Sequence, residues 1–311
     1  MAVETADEWS DWLLLRRHAG NQDYQRAVQE AVERIRDRVL DRACLRPELT
    51  LADIGSGDGL VAFGAIARIG PSLRVILTDV SAPLLAHAEQ RAIELGVEQQ
   101  CTFLHGSAEN LEGIANASVD VVTTRAALAY VADKTAALGE FHRILKPGGI
   151  YSAAEPVFRD AATEAVHLTA LVMGQPAGAE LSLRDLLQRW KAAQYPSTQE
   201  ELQASPIANY SERDLVRLAC QAGFSKVHLE LHIDVRPSAI RNWDVFLDVS
   251  PHPLAPSLRQ IMATQFIELE RRLFESILRP RVEAGQMVEQ DVTAYFTAEK
   301  ELGVPSWSTR S

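Results

Sequence analysis

Apolar and polar positions follow two periods along this chain, and the change of period divides it into segments. Between residues 7 and 45 apolar residues recur at steps of three and four, which predicts helix. Gly20-Asn21 is expected to break this region into two helices. From residue 50 to 155 short apolar runs alternate with helical patterns, as parallel βαβ units require. The pattern predicts strands near 50–54, 74–78, 101–105, 119–124 and 149–154, and helices near 58–69, 82–95 and 134–145.

The alternation stops after Pro156, and residues 159–204 are predicted to be mostly helical. The pattern then predicts, in order, a helix over Ser211–Gln221, a strand over Lys226–Val235 and one long amphipathic helix over Leu258–Leu278. Residues 292–298 carry β-branched and aromatic side chains that favour a last antiparallel strand, although a helix there stays open. Three residues are expected to cap helix starts: Ser81, Asp133 and Ser211.

The stretch Leu51-Ala-Asp-Ile-Gly-Ser-Gly-Asp-Gly59 is the most informative part of the chain. It predicts a buried strand, a tight glycine turn and the start of a helix. Glycines tolerate positive φ and let a ligand approach bare backbone. Their spacing by two differs from the G-x-G-x-x-G dinucleotide fingerprint. Asp79 closes the next predicted strand, where a carboxylate can accept hydrogen bonds from a ribose diol.

These residues resemble the first two motifs of the class I S-adenosylmethionine-dependent methyltransferases. Three further segments fit that family in order and spacing: His105–Glu109, Val119–Arg125 and Arg143–Gly149. The resemblance covers residues 50–156. It implies an α/β fold, a doubly wound Rossmann-like methyltransferase sheet with helical N-terminal and inserted lid segments, and S-adenosyl-L-methionine as the cofactor.

The resemblance also implies a set of cofactor-binding residues, which are Asp53, Gly55, Gly57, Asp58, Gly59, Asp79, Val80, Ser107, Ala108, Glu109, Arg125 and Ala126. Two positions depart from the family's commonest pattern. Ser107 stands where many relatives carry an aspartate, so the adenine amino group is expected to have another acceptor. Asp58 fills a position often held by threonine or serine; it either contacts the donor's ammonium group or caps the helix.

Three residues are candidates for catalysis: Arg125, Tyr130 and Glu155. Arg125 is otherwise a structural ion-pair partner, and Tyr130 is otherwise a core side chain. Glu155 ends the fifth predicted strand and is interpreted as a base or a substrate anchor, with a salt bridge as the alternative. His228 and His232 share one face of a strand, and no metal site is expected there.

The predicted elements divide the chain into six segments. These are an N-terminal helical cap (1–46), the S-adenosylmethionine-binding core (47–156), a helical lid insertion (157–207), the core continued (208–236), a second helical insertion (237–290), and the last strand with a C-terminal tail (291–311). The cap and the two insertions are expected to roof the C-terminal ends of the strands, where open α/β sheets bind ligands. We therefore expect a lid that encloses a small substrate.

Composition narrows the partners. The formal net charge is −11 and no basic stripe is visible, so a nucleic-acid partner is not expected. No apolar run reaches membrane-spanning length and the N-terminus lacks a signal core, so we expect no membrane partner and a cytoplasmic location. Three separated cysteines indicate neither a disulfide framework nor a zinc site. A homodimer through the N-terminal or C-terminal helices stays open.

The leading hypothesis is a methyltransferase (an enzyme of class 2.1.1) that acts on oxygen, nitrogen or carbon of a small organic acceptor. One alternative is a non-methylating enzyme on the same scaffold, such as a cyclase or decarboxylase. Another is a module that only binds the nucleoside ligand. A macromolecular methyltransferase is the last alternative, and a concentrated basic surface beside the cleft would favour it.

Overall fold

The computed structural model describes residues 6–176 and 182–302. The strands are β1 Thr50–Ile54, β2 Arg74–Asp79, β3 Cys101–His105, β4 Val119–Arg125, β5 Leu145–Pro156, β6 Phe224–Pro237 and β7 Val288–Lys300. The helices are α1 Glu8–Asp11, α2 Gln22–Arg42, α3 Leu60–Ile69, α4 Ala82–Leu95, α5 Lys134–Ile144, α6 Arg159–Met173, α7 Leu183–Gln194, α8 Gln199–Ala204, α9 Glu212–Gln221, α10 Trp243–Asp248, α11 Leu258–Gln265 and α12 Glu268–Glu283. Most of the predicted C-terminal tail, residues 303–311, lies outside the described residues.

The strands of the described residues form one mixed sheet in the order β3-β2-β1-β4-β5-β7-β6. Strands β1 to β5 are parallel, and β7 runs antiparallel between β5 and β6. Residues 292–298 are therefore strand, not helix. The order reverses between β1 and β4, and their carboxyl ends lie at the same edge of the sheet, which is where open α/β sheets bind ligands. The doubly wound Rossmann-like α/β prediction is confirmed.

Helices cover both faces of the sheet and bury one apolar cluster on each. On one face Phe141 of α5 and Tyr151 of β5 are fully buried with residues of α9. On the other face α2, α3 and α4 cover Leu51 and Leu77. Burial on both faces explains why nearly every residue of β1 and β4 is buried instead of every second one.

The predicted helix starts are confirmed by their capping bonds. The side chains of Ser81, Asp133 and Ser211 accept hydrogen bonds from backbone N–H groups in the first turns of α4, α5 and α9. Asn21 caps α2 in the same way, so the predicted break at Gly20-Asn21 is confirmed. The residues before it form the short α1 followed by a π-helical turn, Trp12–Arg16.

The prediction of one helix over Leu258–Leu278 is wrong, because Phe266 and Ile267 are extended and separate α11 from α12. The Ile267 N–H donates to the Glu270 carboxylate at 2.9 Å, which satisfies an amide at the start of α12. Phe266 is 3% exposed and packs against Phe274. The apolar spacing continues across the break, so periodicity alone does not reveal it.

The two predicted insertions pack against each other above the sheet edge. Leu186 of α7 is buried with Trp243 of α10 and Phe274 of α12 in a third apolar cluster. The π-helical turn is tied to the second insertion by hydrogen bonds. Trp12 Nε1 donates to the Ser250 carbonyl at 3.2 Å, and the Arg16 guanidinium donates to the carbonyls of Pro253 and Ala255.

The cluster between the insertions predicts a difference between two leucine truncations. Leu186 is 0% exposed, so Leu186→Ala should lower the free energy of unfolding by about 2–5 kcal/mol through lost burial and a cavity. Leu171 of α6 is 59% exposed, so Leu171→Ala should change it by less than about 0.5 kcal/mol. Urea denaturation measures both. Equal losses would show that α7 is not anchored by this cluster.

Candidate active site

A cavity of about 310 Å³ opens at the carboxyl ends of β1, β2 and β4. Of the residues implied by the sequence, those that line it are Asp53, Gly55, Gly57, Asp79, Val80, Ser107, Ala108, Glu109, Arg125, Ala126 and Tyr130. Three are not among its lining residues: Asp58, Gly59 and Glu155. The structure thus brings most of the predicted set around one space.

The glycine loop needs glycine for reasons of conformation and space. Gly55, Gly57 and Gly59 all have positive φ, at 65°, 56° and 79°. A Cβ on Gly55 would lie 2.4 Å from the Ala127 Cβ, and one on Gly57 would lie 3.1 Å from the Leu13 side chain. Bare backbone therefore lets the loop meet both the segment after β4 and the N-terminal cap.

Asp79 joins the glycine loop to the start of α4. Its carboxylate accepts from the Gly57 N–H at 2.8 Å and from the Ser81 N–H at 2.9 Å, one bond at each oxygen. The side chain is 7% exposed, and burial raises its pKa above the ordinary value. Each oxygen keeps a lone pair that can accept from a ligand hydroxyl.

Two further polar groups lie at the end of β1 and in the glycine loop that follows it. The Asp53 carboxylate accepts from the Thr123 hydroxyl at 2.8 Å and from the Ala62 N–H at 3.2 Å. Burial raises the pKa of Asp53 to about 7. Ser56 is 8% exposed, and no described residue hydrogen-bonds its hydroxyl. An unpaired buried hydroxyl in the cavity wall costs free energy that a polar ligand would recover.

The far end of the cavity combines an exposed apolar side chain with engaged polar ones. Val80 is 50% exposed, so its side chain is available to pack on a flat ring. The Ser107 hydroxyl accepts from the Glu109 N–H at 3.2 Å. The Glu109 carboxylate in turn accepts from the Asp133 N–H at 2.7 Å.

Asp58 corrects one expectation, because its carboxylate neither faces the cavity nor caps α3. It pairs with Arg91 of α4 at 3.0 Å, and the Arg91 guanidinium also donates to the Asp58 carbonyl. Gly59 is the N-cap residue of α3 and makes no side-chain cap. A Cβ there would strike the Phe63 ring, so Gly59 shapes the turn without lining the cavity.

Arg125 and Tyr130 stand on either side of the turn that follows β4. Among the described residues, no hydrogen bond or ion pair engages the Arg125 guanidinium, so the predicted ion-pair alternative is not seen. The Tyr130 ring lies between Trp9, at 5.3 Å between centroids, and Phe158, at 6.0 Å. Burial raises the pKa of Tyr130 well above its ordinary value, which keeps the hydroxyl protonated.

Glu155 is not among the residues that line the cavity, and within the described residues it forms no salt bridge, so neither of its predicted interpretations is seen. The carboxylate is 1% exposed and accepts from the Thr124 hydroxyl at 2.6 Å. It also accepts from the N–H groups of Ala127 at 3.1 Å and Ala129 at 3.0 Å. Burial raises its pKa. Glu155 therefore holds the turn that carries Tyr130.

Lys134, which the sequence did not single out, holds the same turn from the other side. Its ammonium donates to the carbonyls of Ala129, Val131 and Pro206 at 3.2, 2.9 and 2.8 Å. The side chain is 6% exposed and packs over the Tyr210 ring. Burial lowers the pKa of Lys134 to about 8. No local sequence signal indicates this role, because Pro206 is distant in the chain.

Other lining residues come from the predicted lid, although not from all of it. The N-terminal cap contributes Trp9, Trp12 and Leu13, and the second insertion contributes Pro253. Among the described residues of the first insertion none lines the cavity; Phe158 packs behind Tyr130 instead. Within residues 6–176 and 182–302, no helix is long and apolar enough to cross a membrane, and no cluster of three candidate metal ligands occurs.

The role of Glu155 predicts a contrast between two substitutions. Glu155→Ala leaves two buried N–H groups unpaired, so the free energy of unfolding should fall by about 2–4 kcal/mol. Glu155→Gln should stay within about 1 kcal/mol of the wild type, because the amide oxygen still accepts from both groups. Thermal or urea unfolding gives the values. Glu164→Ala, at an exposed surface pair, is the control; a loss equal to that of Glu155→Ala would contradict the assignment.

Comparison with known proteins agrees with this architecture. The profile of a family described as "Methyltransferase domain" matches residues 45–205, slightly more than half of the chain. A ubiquinone/menaquinone biosynthesis C-methyltransferase of Nitrobacter hamburgensis is 34% identical over 105 residues, which cover 34% of this chain and 41% of that protein. Nocamycin O-methyltransferase of Saccharothrix syringae is 32% identical over 120 residues, which cover 39% of this chain and 42% of that protein. The tRNA 5-carboxymethoxyuridine methyltransferase of Escherichia coli K12 is 34% identical over 117 residues, which cover 37% of this chain and 43% of that protein.

The chain thus matches less than half the length of these curated relatives. Among solved structures, a putative methyltransferase from Bacillus halodurans has a TM-score of 0.50 at 15% identity, covering 86% of this chain and 98% of that one. A chain of the complex between a Haloferax volcanii methyltransferase activator and a putative methyltransferase also has a TM-score of 0.50, at 19% identity, covering 96% and 99%. These two structures support the fold. Together with the matched family profile they show that this chain belongs to the class I S-adenosylmethionine-dependent methyltransferases.

Proposed function

We propose that this protein transfers a methyl group from S-adenosyl-L-methionine to a small organic acceptor held in the cavity. The observation that supports this most directly is the set of unused polar atoms along one wall. Asp79 keeps free lone pairs, Ser56 has an unpaired buried hydroxyl, and Val80 offers an exposed apolar surface. In the arrangement that the family resemblance implies, Asp79 would accept hydrogen bonds from the ribose and Val80 would pack on the adenine. The Ser56 hydroxyl would bond a polar atom of the same donor.

The donor, when bound, supplies an electrophilic methyl group on a sulfonium. The chain's own residues bind and orient both partners and exclude water, which is the main contribution that an in-line displacement needs. Asp79 would accept from the ribose hydroxyls, and the backbone of Gly55 and Gly57 would pass beside the amino-acid part. Arg125 and Tyr130 would face the acceptor.

A small acceptor is supported by the roof of the cavity. The π-helical turn and the loop near Pro253 cover the sheet edge and are joined by the hydrogen bonds of Trp12 and Arg16. The formal net charge of −11 opposes a polyanionic acceptor such as tRNA. Incorporation of an isotopically labelled methyl group into small acceptors tests the proposal. Labelling of RNA or protein, with none in small molecules, would contradict it.

Asp79→Asn should weaken binding of the demethylated donor product by about 10- to 100-fold, because the amide loses an acceptor and sets a donor against a backbone N–H. Isothermal titration measures the affinity. Asp58→Asn is the matched control in the same loop, since Asp58 faces Arg91 and does not line the cavity. Its affinity should stay within about twofold of the wild type. Equal affinities for the two variants would argue against the ribose role of Asp79.

Gly55→Ala and Gly20→Ala separate backbone strain from steric overlap. Gly55 and Gly20 have nearly equal φ, 65° and 66°, but a Cβ meets Ala127 only at Gly55 and nothing within 4 Å at Gly20. Both variants should lose about 1 kcal/mol of unfolding free energy through the left-handed backbone. Only Gly55→Ala should also lose donor affinity, by about 10-fold or more, because the loop must move. Titration with the demethylated product checks this, and unchanged affinity would refute it.

A further inference from the structure

The charged groups that line the cavity differ in whether the protein itself hydrogen-bonds them. Its carboxylates are all engaged by the protein itself: Asp53 by Thr123 and Ala62, Asp79 by Gly57 and Ser81, and Glu109 by Asp133. The guanidinium of Arg125 has no partner among the described residues. A partly buried guanidinium whose N–H groups have no hydrogen-bond partner can bind an anion.

A second unpaired donor stands near it. Tyr130 lines the same cavity, and no described residue hydrogen-bonds its hydroxyl. Glu155 and Lys134 hold its turn from opposite sides, so the ring position is fixed before any ligand arrives. Arg125 and Tyr130 both line this cavity, at the two ends of the turn that follows β4.

The cavity wall offers a pair of unengaged donors, whereas each lining carboxylate already accepts at least one hydrogen bond from the protein. Neither histidine nor lysine is among the described lining residues. The lining carboxylates accept from N–H or hydroxyl groups whose positions the fold sets. An acceptor that must lose a proton to a protein group during the reaction would therefore be poorly served here. An acceptor that arrives already ionised needs no such group.

We propose, on the basis of the function proposed above, that the acceptor is a planar enol or phenol that is methylated on oxygen as its anion. Arg125 pairs with the oxyanion and the Tyr130 hydroxyl donates a hydrogen bond to the acceptor. The rings of Trp9, Trp12 and Tyr130 flank the space and fit a flat molecule. Methylation on carbon would leave a ring proton to be removed, and each lining carboxylate that could take it is already held by a hydrogen bond from the protein.

The step balances without a further reactant. The acceptor loses its proton to solvent before it binds. An oxygen lone pair forms the new O–CH₃ bond while the S–CH₃ bond breaks, and that electron pair stays on sulfur. An anion and a sulfonium cation become a neutral ether and a neutral thioether. Arg125 has to bind the oxyanion strongly enough to favour the ionised acceptor, yet leave one of its lone pairs for the methyl group.

The test uses probes of known acidity with the full chain: substituted phenols whose pKa values fall on both sides of neutral, cyclohexane-1,3-dione, and a neutral aliphatic alcohol and an amine. Labelled methyl transfer should be fastest to the acidic members. The midpoint of the pH–rate profile should move with the pKa of each phenol. Asp53 and Arg17 interact with the Arg125 charge, and Glu155, Tyr195 and Tyr210 are the titratable groups that interact with Tyr130. Titration of any of them would give a midpoint common to all acceptors.

Arg125→Met should lower kcat/KM for the acidic acceptors by about 10- to 100-fold, the value of a charged hydrogen bond, and Arg125→Lys should restore part of it. Tyr130→Phe should cost less, about 3- to 10-fold. The demethylated donor product should bind Arg125→Met within about twofold of the wild type. Arg272→Met, at an exposed helix pair, is the matched control and should behave as the wild type.

A binding experiment keeps the inference testable without turnover. Phenol titrated into the complex with demethylated donor product should bind more tightly as the phenolate, and Arg125→Met should remove that preference. The inference is overturned by equal binding of both forms, by a pH midpoint common to all acceptors, or by loss of donor-product affinity in Arg125→Met. Faster transfer to the amine or the alcohol would overturn it while leaving the proposed methyltransferase function intact. Failure to bind the donor product would instead reject the proposed function.

Discussion

The structure depends on the close approach of three segments at the glycine loop. The loop touches Ala127 after β4 through Gly55 and Leu13 of the N-terminal cap through Gly57, and neither contact leaves room for an added Cβ without a shift. Asp79 fixes the loop from the third side through its bond to the Gly57 N–H. The cavity wall, the turn that carries Tyr130 and the cap therefore share one reference point. A displacement of the glycine loop would therefore shift the cavity wall, the Tyr130 turn and the cap together. Each of them packs on glycine backbone, which has no side chain that could change its rotamer to absorb the movement.

Two buried charges complete this arrangement without touching the cavity. Glu155 satisfies amide groups of the Tyr130 turn and Lys134 satisfies its carbonyls, so the polar backbone of a non-repetitive segment is paired within a largely apolar region. The sequence suggested Glu155 as a general base because it ends β5, whereas in the structure its carboxylate holds the Tyr130 turn in place. A carboxylate at the end of a strand is expected near the cleft whether it acts as a general base or as a structural hydrogen-bond acceptor. Its hydrogen-bond partners distinguish the two roles.

The sequence predicted what is local or periodic. The strands of the core and the helix caps follow from apolar patterns, most residues along the cavity wall follow from motif spacing, and the antiparallel β7 was favoured by composition. The break at Phe266–Ile267 was missed because the apolar spacing continues through it while a backbone bond to Glu270 starts a new helix. The pairing of Asp58 with Arg91 and the bond from Lys134 to Pro206 join residues distant in sequence. No pattern in one sequence encodes such contacts directly.

The distribution of hydrogen bonds also bears on how the cavity does chemistry. Carboxylates that accept from N–H or hydroxyl groups are held in position, so along this wall they act as fixed acceptors and shape the site. Three lining groups have no hydrogen-bond partner among the described residues: the Arg125 guanidinium, the Tyr130 hydroxyl and the Ser56 hydroxyl. A site built in this way suits a reaction whose charges are already present in its reactants and disappear as the bond forms. Under the proposed function its contribution lies in alignment beneath the N-terminal cap and the second insertion, which the hydrogen bonds of Trp12 and Arg16 join to each other.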